Sequence, residues 1–190
     1  MTDRSPVAGV ILAAGLGRRF GGPKAGATLA GTTFLAHVAA RAAEVGLDPV
    51  IAVVPAGTVA PDDLVAVVNP DPQRGLSSSL RLGITAVPEG HAALVLLVDQ
   101  PTLERAVIDA VLAGRGRRPL VAASAEGRLA PPVLVEPQAF AHIAGLSGDI
   151  GLREVFAANP ELVEAVAVPA HAPDVDTAAD LARLEARLGS

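Results

Sequence analysis

Four short runs of this chain carry almost no polar residue: Val7–Leu12, Val50–Val54, Leu64–Val68 and Leu94–Val98. Each is β-branched or leucine-rich and lacks polar alternation, the pattern of strands covered on both faces. Between them lie segments with apolar residues at helical spacing. Thr33–Val45 is one, with Gly46 as a stop; Pro101–Leu112 is another, closed by Gly114; Ala178–Leu188 is the last. Strands alternating with helices need crossover connections, so the expected fold is α/β: a mostly parallel sheet with helices on both faces, in three layers. Leu120–Val135 reads as two strands around a turn at Glu126-Gly127, a small antiparallel excursion from that sheet. Asp62-Asp63 after Pro61 reads as a helix start. A chain of 190 residues without repeat or linker is expected to be one domain, residues 1–190.

The first strand runs directly into "LAAGLGRRFGGPK", residues 12–24, which holds four glycines and the chain's only lysine, Lys24. A glycine-rich loop leaving a strand can turn tightly and aim several backbone N–H groups at one anion. It is not a dinucleotide loop, because Gly15 and Gly17 fit G-x-G-x-x-G but Phe20 takes the third place. It is not a P-loop either, because Pro23 precedes Lys24 and Ala25 follows. What remains is a longer loop in which Pro23 fixes its own φ and restricts Gly22, stiffening the approach to Lys24. Phosphate chains suit it: backbone donors and Arg18 or Arg19 hold outer oxygens, while a compact ammonium reaches one point. A solvated surface lysine is the bland alternative, but a lone lysine placed in this loop favours the phosphate.

Asp99 ends an apolar strand, where ligands of open α/β sheets bind. A carboxylate there suits Mg²⁺, which takes one or two protein carboxylates and completes its shell with phosphates and water, or it caps the helix before Pro101. Ser77, Ser78 and Ser79 open an amphipathic stretch, where hydroxyls and free N–H groups suit a base edge or phosphate; N-capping would explain one of the three. Asn69 reads as a ribose contact or a turn residue, with the turn preferred. Asp176 or Thr177 suits the cap of the last helix. His37, His91, His142 and His171 show no ligand spacing. A net charge of -5 argues against a nucleic-acid or anionic-membrane partner, and the absence of cysteine removes disulfides and thiolate metal sites. No apolar run is long enough to span a membrane, so the expected location is cytoplasmic. With 2% aromatic residues, base recognition must come from backbone rather than stacking.

With Leu12–Lys24 fitting L-A-[AG]-G-x-[GS]-x-R-[MF]-G-x-x-K throughout, the chain resembles the MobA-like nucleotidyltransferases, closest to their molybdenum cofactor cytidylyltransferase branch. "GLSSSLRLG" (Gly75–Gly83) resembles the segment around the nucleobase, and "LLVDQP" (Leu96–Pro101) the metal-binding strand end. "LSGDIGLREVF" (Leu146–Phe156) and "DVDTAADL" (Asp174–Leu181) match two further segments in the same order. The resemblance implies a Rossmann-like sheet of the nucleotide-diphospho-sugar transferase type and a Mg²⁺-dependent transfer of a nucleoside monophosphate, with release of pyrophosphate. It implies Lys24, Arg18 and Asp99 as catalytic residues. It implies Leu12, Ala13, Ala14, Gly15, Leu16, Gly17, Arg18, Lys24, Gly75, Ser78 and Ser79 at the nucleotide. The acceptor, molybdopterin or molybdenum cofactor, would lie over Gln100, Pro132, Ser147 and Asp149, and the metal on Asp99 and Asp176, with Asp174 beside the latter. Ala14 points to CTP, because its methyl narrows the pocket against a purine. Two departures are present: Ala130-Pro131-Pro132-Val133 stands where relatives read G-H-P-V, and Ala178-Ala179-Asp180 replaces P-E-D. The rival readings are a guanylyltransferase, a transferase to a sugar or alditol phosphate, and a nucleotide-binding accessory protein without turnover. A monomer is expected.

Overall fold

The structure, a computed structural model, describes residues 5–189. Its strands, in chain order, are β1 (Val7–Leu12), β2 (Thr28–Leu29), β3 (Thr32–Thr33), β4 (Val50–Pro55), β5 (Val65–Asn69), β6 (Ala92–Leu97), β7 (Leu120–Ala125), β8 (Arg128–Val135) and β9 (Val163–Ala167). The α-helices are α1 (Phe34–Glu44), α2 (Leu76–Thr85), α3 (Arg105–Ala113), α4 (Phe140–Ala144), α5 (Leu152–Ala158) and α6 (Ala178–Leu188). Seven strands form one sheet in the order β5-β4-β1-β6-β8-β7-β9, while β2 and β3 make a separate small hairpin. β1 is central and parallel to β4 and β6, with Val10 opposite Ile51 on one side and Val95 on the other. Only β8 runs antiparallel, to both β6 and β7.

Because successive strand residues face opposite ways, β1 feeds two cores. Ala8, Val10 and Leu12 pack with Leu80 and Ile84 of α2, Ile143 of α4 and Val155 and Phe156 of α5. Ile11 packs on the other face with Phe34, Leu35 and Val38 of α1, Ile108 and Val111 of α3 and Leu184 of α6. The three layers expected from the sequence are therefore present. Each fully buried Ile, Leu or Phe contributes roughly 1.5–3 kcal/mol, so β1 and its flanking helices anchor the architecture that positions the site. Thr33 starts α1 by accepting a hydrogen bond from the Ala36 N–H at 3.2 Å, and Thr177 starts α6 in a capping box with Asp180.

The antiparallel excursion is present: β8 runs against β6, and β7 behind it extends the same sheet to β9. Three expectations need correction. Asp62-Asp63 opens no helix; the Leu64 N–H donates to the Pro61 carbonyl in a turn that leads straight into β5. β5 itself is not covered on both faces, because it is an edge strand with one neighbour, leaving Val65 48% and Val68 51% exposed. α3 begins at Arg105, four residues beyond Pro101, because the chain after Asp99 is held in turns. There the Gln100 N–H donates to the Leu97 carbonyl and the Leu103 N–H to the Gln100 carbonyl. No helix among the described residues is long and apolar enough to cross a membrane.

Candidate active site

The loop after β1 folds around one carbonyl. Gly17 has φ +57, and its oxygen accepts from the N–H groups of Phe20, Gly21 and Gly22 at 2.9, 2.9 and 3.1 Å. A Cβ on Gly17 would sit 1.8 Å from the Gly22 oxygen, so no other residue fits that curl. Phe20 fastens the loop to the core against Phe34, ring centroids 6.0 Å apart. Among the described residues, the backbone N–H groups of Gly15, Leu16, Gly17 and Arg18 have no intramolecular acceptor, the condition for a loop that receives an anion. Pro23 is extended, at φ -57 and ψ 124, and delivers Lys24 as the first residue of a short helical turn whose Ala25 is buried.

Lys24 reaches back across the end of the sheet and stands between two carboxylates. Its Nζ lies 2.7 Å from Asp176 Oδ1 and 3.0 Å from Asp99 Oδ2, with only 12% of its side chain exposed. Asp99 follows β6, and Asp176 precedes α6. The two segments are held together by the Val175 N–H donating to the Asp99 carbonyl at 2.8 Å. Arg19 donates to the second oxygen of Asp176 at 3.0 Å, and it is Arg19 on which the arginine of the loop signature falls. Arg18 stays exposed beside them. Burial disfavours the Lys24 ammonium, but its hydrogen bonds to Asp176 and Asp99 outweigh that and hold its pKa above the ordinary lysine value. The same ammonium holds the Asp176 carboxyl below the usual carboxylate range. Asp174 goes the other way: crowding by surrounding atoms raises its pKa, only partly offset by the Gln100 amide that donates to it at 2.9 Å.

The opposite wall is the start of α2, bolted in place by the serine run. Asn69 is 1% exposed; its amide donates to Ser78 Oγ at 2.9 Å and Ser79 Oγ at 3.0 Å, and its carbonyl accepts from the Asp71 N–H. It is thus the expected turn residue and also the clamp of α2. Ser77 Oγ donates to the Gly148 carbonyl at 2.7 Å, tying α2 to the loop before α5. Gly75, at φ +88, lets the two segments touch, since a Cβ there would lie 2.6 Å from the Gly148 oxygen. None of the three serines is the N-cap; Ser77 and Ser78 donate to the Gly148 and Gly75 carbonyls, and Ser79 accepts from Asn69.

These walls enclose a cleft of about 690 Å³. Leu12, Ala14, Gly15, Leu16, Gly17, Arg18, Lys24, Gly75, Ser79, Asp99, Asp149 and Asp176 all line it, so most of the residues singled out in the sequence converge on one space. Ala13 and Ser78 do not: Ala13 is buried in the sheet, and the Ser78 hydroxyl serves Asn69 and the Gly75 carbonyl. Gln100 is 3% exposed and faces Asp174, with its Oε1 buried and unpartnered. Pro132 is buried, Ser147 is exposed outside the lining, and Gly148 and Asp149 hold the wall instead. Arg74 and Leu76 also line the cleft and were not singled out. Arg74 carried a usable signal, as the one cation in "NPDPQRG" directly before the Gly75 segment.

Two carboxylates on separate elements that meet at one cation position are a donor set for a hard divalent ion. Among the described residues no group of three or more His, Cys, Asp or Glu side chains could hold a metal alone, so ligand oxygens would have to complete the shell. The residues present therefore fit a metal that arrives with phosphates. A cleft of about 690 Å³, a loop with open N–H groups and two converging carboxylates suit an enzyme that transfers phosphate-bearing groups. The chain belongs to the MobA-like NTP transferase domain family, whose pattern matches residues 9–165. It is a nucleotidyltransferase of that kind, in a family that binds nucleoside triphosphates and phosphate-bearing acceptors, on a fold that typically uses a divalent metal. It is similar to a Paenarthrobacter nicotinovorans protein named nicotine blue oxidoreductase, 32% identical over 96% of this chain and 98% of that one. Among solved structures, a homologue of Mycobacterium tuberculosis Rv0371c from Mycobacterium sp. strain JC1 superposes with TM-score 0.83 at 30% identity, covering 98% of both chains. Rv0371c of M. tuberculosis H37Rv in complex with manganese shares the fold with TM-score 0.78 at 24% identity, covering 96% of this chain and 98% of that one.

Proposed function

We propose that this chain, as one domain, is a Mg²⁺-dependent cytidylyltransferase acting on a small phosphate-bearing acceptor of the molybdopterin type. The observation that carries the reading is Lys24 held between Asp99 and Asp176 in the same cleft that Gly15–Arg18 line with open N–H groups. An acceptor phosphate oxygen attacks the α-phosphorus of CTP. The new P–O bond forms as the bond to the β-phosphate oxygen breaks, and pyrophosphate leaves with the electron pair. No general base is needed, because the acceptor phosphate is already ionised. Positioning and charge stabilisation carry most of the barrier reduction in such transfers. Gly15, Leu16 and Gly17 would receive phosphate oxygens on their N–H groups, while Arg18 and Lys24 neutralise the triphosphate. Asp99 and Asp176 would hold the metal, which neutralises charge across the phosphates. Leu12–Gly15, Gly75 and Ser79 would flank the nucleotide, with Ala14 setting the width against a purine. Gln100, through Asp174, would act on the acceptor side as a buried support, with Asp149 at the acceptor itself. The location is cytoplasmic and the protein monomeric in this reading, as the sequence suggests.

A second reading is favoured by the end-to-end match to a relative named as an oxidoreductase. In it the cleft would hold a nicotinamide nucleotide that exchanges a hydride with an organic substrate, rather than a triphosphate whose nucleotidyl group is transferred. The deciding experiment is a thermal-shift screen of CTP, GTP, UTP and ATP with Mg²⁺, followed by pyrophosphate release with molybdopterin-type, alditol-phosphate and sugar-phosphate acceptors. The proposal expects a selective rise with CTP and pyrophosphate with a molybdopterin-type acceptor. A selective rise with GTP, binding of nucleotide without turnover, or redox turnover without pyrophosphate would each replace it.

A further inference from the structure

Helix α2 borders two cavities with two different faces. Leu76 and Ser79 line the cleft, whereas Ser78, Arg81, Leu82 and Thr85, spaced by three and four, line a second cavity of about 390 Å³ between the loop after β5 and α4. Much of its lining is apolar, from Pro70 through Leu82 and Ile84 to Ile143. Two guanidiniums also line it: Arg81, half-buried on the helix, and Arg74, at the end of the Pro72–Arg74 turn. In a chain with 20 acidic and 15 basic residues, carboxylates are plentiful, and Arg41, Arg105, Arg115, Arg117 and Arg183 each meet one. Arg74 and Arg81 do not. Among the described residues neither has a hydrogen-bond or ion-pair partner, and Asp71, which lines the same cavity, pairs with neither. Two cations against one carboxylate leave the cavity net positive. Its buried polar groups are already engaged, the Asn69 amide with the Ser78 and Ser79 hydroxyls and the Ser78 hydroxyl with the Gly75 carbonyl, so the guanidiniums are the charged donors left for a ligand.

We infer that this cavity binds a small organic anion, a phosphate or carboxylate head on a short apolar body, and that Arg74 sets it against nucleotide; the second half rests on the transferase reading of the cleft. The planar guanidinium fork matches either head, and the apolar lining suits a hydrocarbon body better than a hydrated inorganic ion. Arg74 lines the cleft as well as the second cavity, and it is the one charged side chain common to both. A guanidinium engaged by an anion on one side of α2 is withdrawn from the other side. Occupancy of each cavity therefore weakens binding in the other, and by linkage the factor is the same in both directions.

Calorimetric titration of butyl phosphate, butyrate and inorganic phosphate into the full chain tests this, with and without Mg²⁺ and a non-hydrolysable CTP analogue. Butyl phosphate or butyrate should bind more tightly than inorganic phosphate, and the tighter of the two identifies the head group. Arg81→Ala should weaken that binding by about tenfold, the factor for one charge-assisted hydrogen bond, and leave the affinity for the CTP analogue unchanged. Arg81→Gln, which keeps the length of the side chain, should act alike if the alanine variant fails to fold. Saturating CTP analogue should weaken the organic anion by about fivefold, and Arg74→Ala should abolish that antagonism. Binding that survives both Arg81 variants, binding that is lost in Arg18→Ala instead, or no binding of any probe would overturn the inference. If the CTP analogue fails to bind while Arg81-dependent binding persists, the anion site stands and the transferase reading falls.

Discussion

Lys24→Ala offers a measurement in which the metal and the lysine are predicted to compete. In the protein without nucleotide, the ammonium sits 2.7 Å from Asp176 and 3.0 Å from Asp99, where a divalent ion on those carboxylates would have to displace it. Exposed ion pairs contribute about 0.2–1 kcal/mol each. With 12% of the Lys24 side chain exposed, these two lie at the upper end, about 1 kcal/mol apiece. Together they oppose the ion by about 2 kcal/mol, roughly a 30-fold factor in Kd. Nucleotide-free Lys24→Ala protein should therefore bind Mn²⁺ about 30-fold more tightly than the wild type, as followed by loss of the free-ion EPR signal. Turnover should fall in the same variant by about a hundred- to a thousandfold, because the triphosphate loses a well-placed cation. Asp99→Asn and Asp176→Asn should each abolish the gain. Unchanged or weaker Mn²⁺ binding in Lys24→Ala would refute the argument that the lysine holds the metal's place.

Asn69→Ala removes a buried amide that bonds Ser78, Ser79 and the Asp71 backbone, so a loss of about 2–4 kcal/mol is expected, read as a lower urea midpoint. Arg115→Ala breaks a buried pair in which Arg115 Nε meets Glu136 Oε1 at 2.6 Å, with 8% and 13% of the side chains exposed; about 3–5 kcal/mol should be lost, with no change in nucleotide selectivity. Stability should also vary with pH through the Lys24 cluster. Asp176 has its pKa lowered from 3.8 in the fold, so its contribution is complete above that value and disappears as pH falls through the lower, folded value. Lys24 is raised from 10.5, so its contribution is complete below that value and is lost as pH rises through the higher one. In Lys24→Ala both dependences should flatten in a pH series of thermal melts.

β1, β4 and β6 were legible because burial on both faces leaves an uninterrupted apolar run in the sequence. β9 was not: it reads Val163-Glu164-Ala165-Val166-Ala167, half exposed at the sheet's far edge, so neither a continuous run nor clean alternation marks it. The loop and its lone lysine were visible for a chemical reason, since glycine spacing and a single cation type are local signals. The partner of that lysine was not local at all. Its carboxylates lie 75 and 152 residues away in the chain, and only the fold reveals that it faces them. The serine run has partners that the sequence hides in the same way: Ser77 donates to Gly148, and Ser78 and Ser79 accept from Asn69, both from other segments.

The 152-residue span between Lys24 and Asp176 also bears on how the protein is made. During synthesis the lysine of the glycine loop is made 152 residues before Asp176, which leaves the ribosome just ahead of α6. A contact this distant in sequence closes late, because the entropy of joining the chain ends is recovered only once the intervening sheet has formed. Until Asp176 has been made, a nascent chain therefore offers the open loop with a lysine that has at most one of its two carboxylate partners, Asp99. Functional competence should appear in a single step once the chain through α6 has been made, rather than growing with chain length.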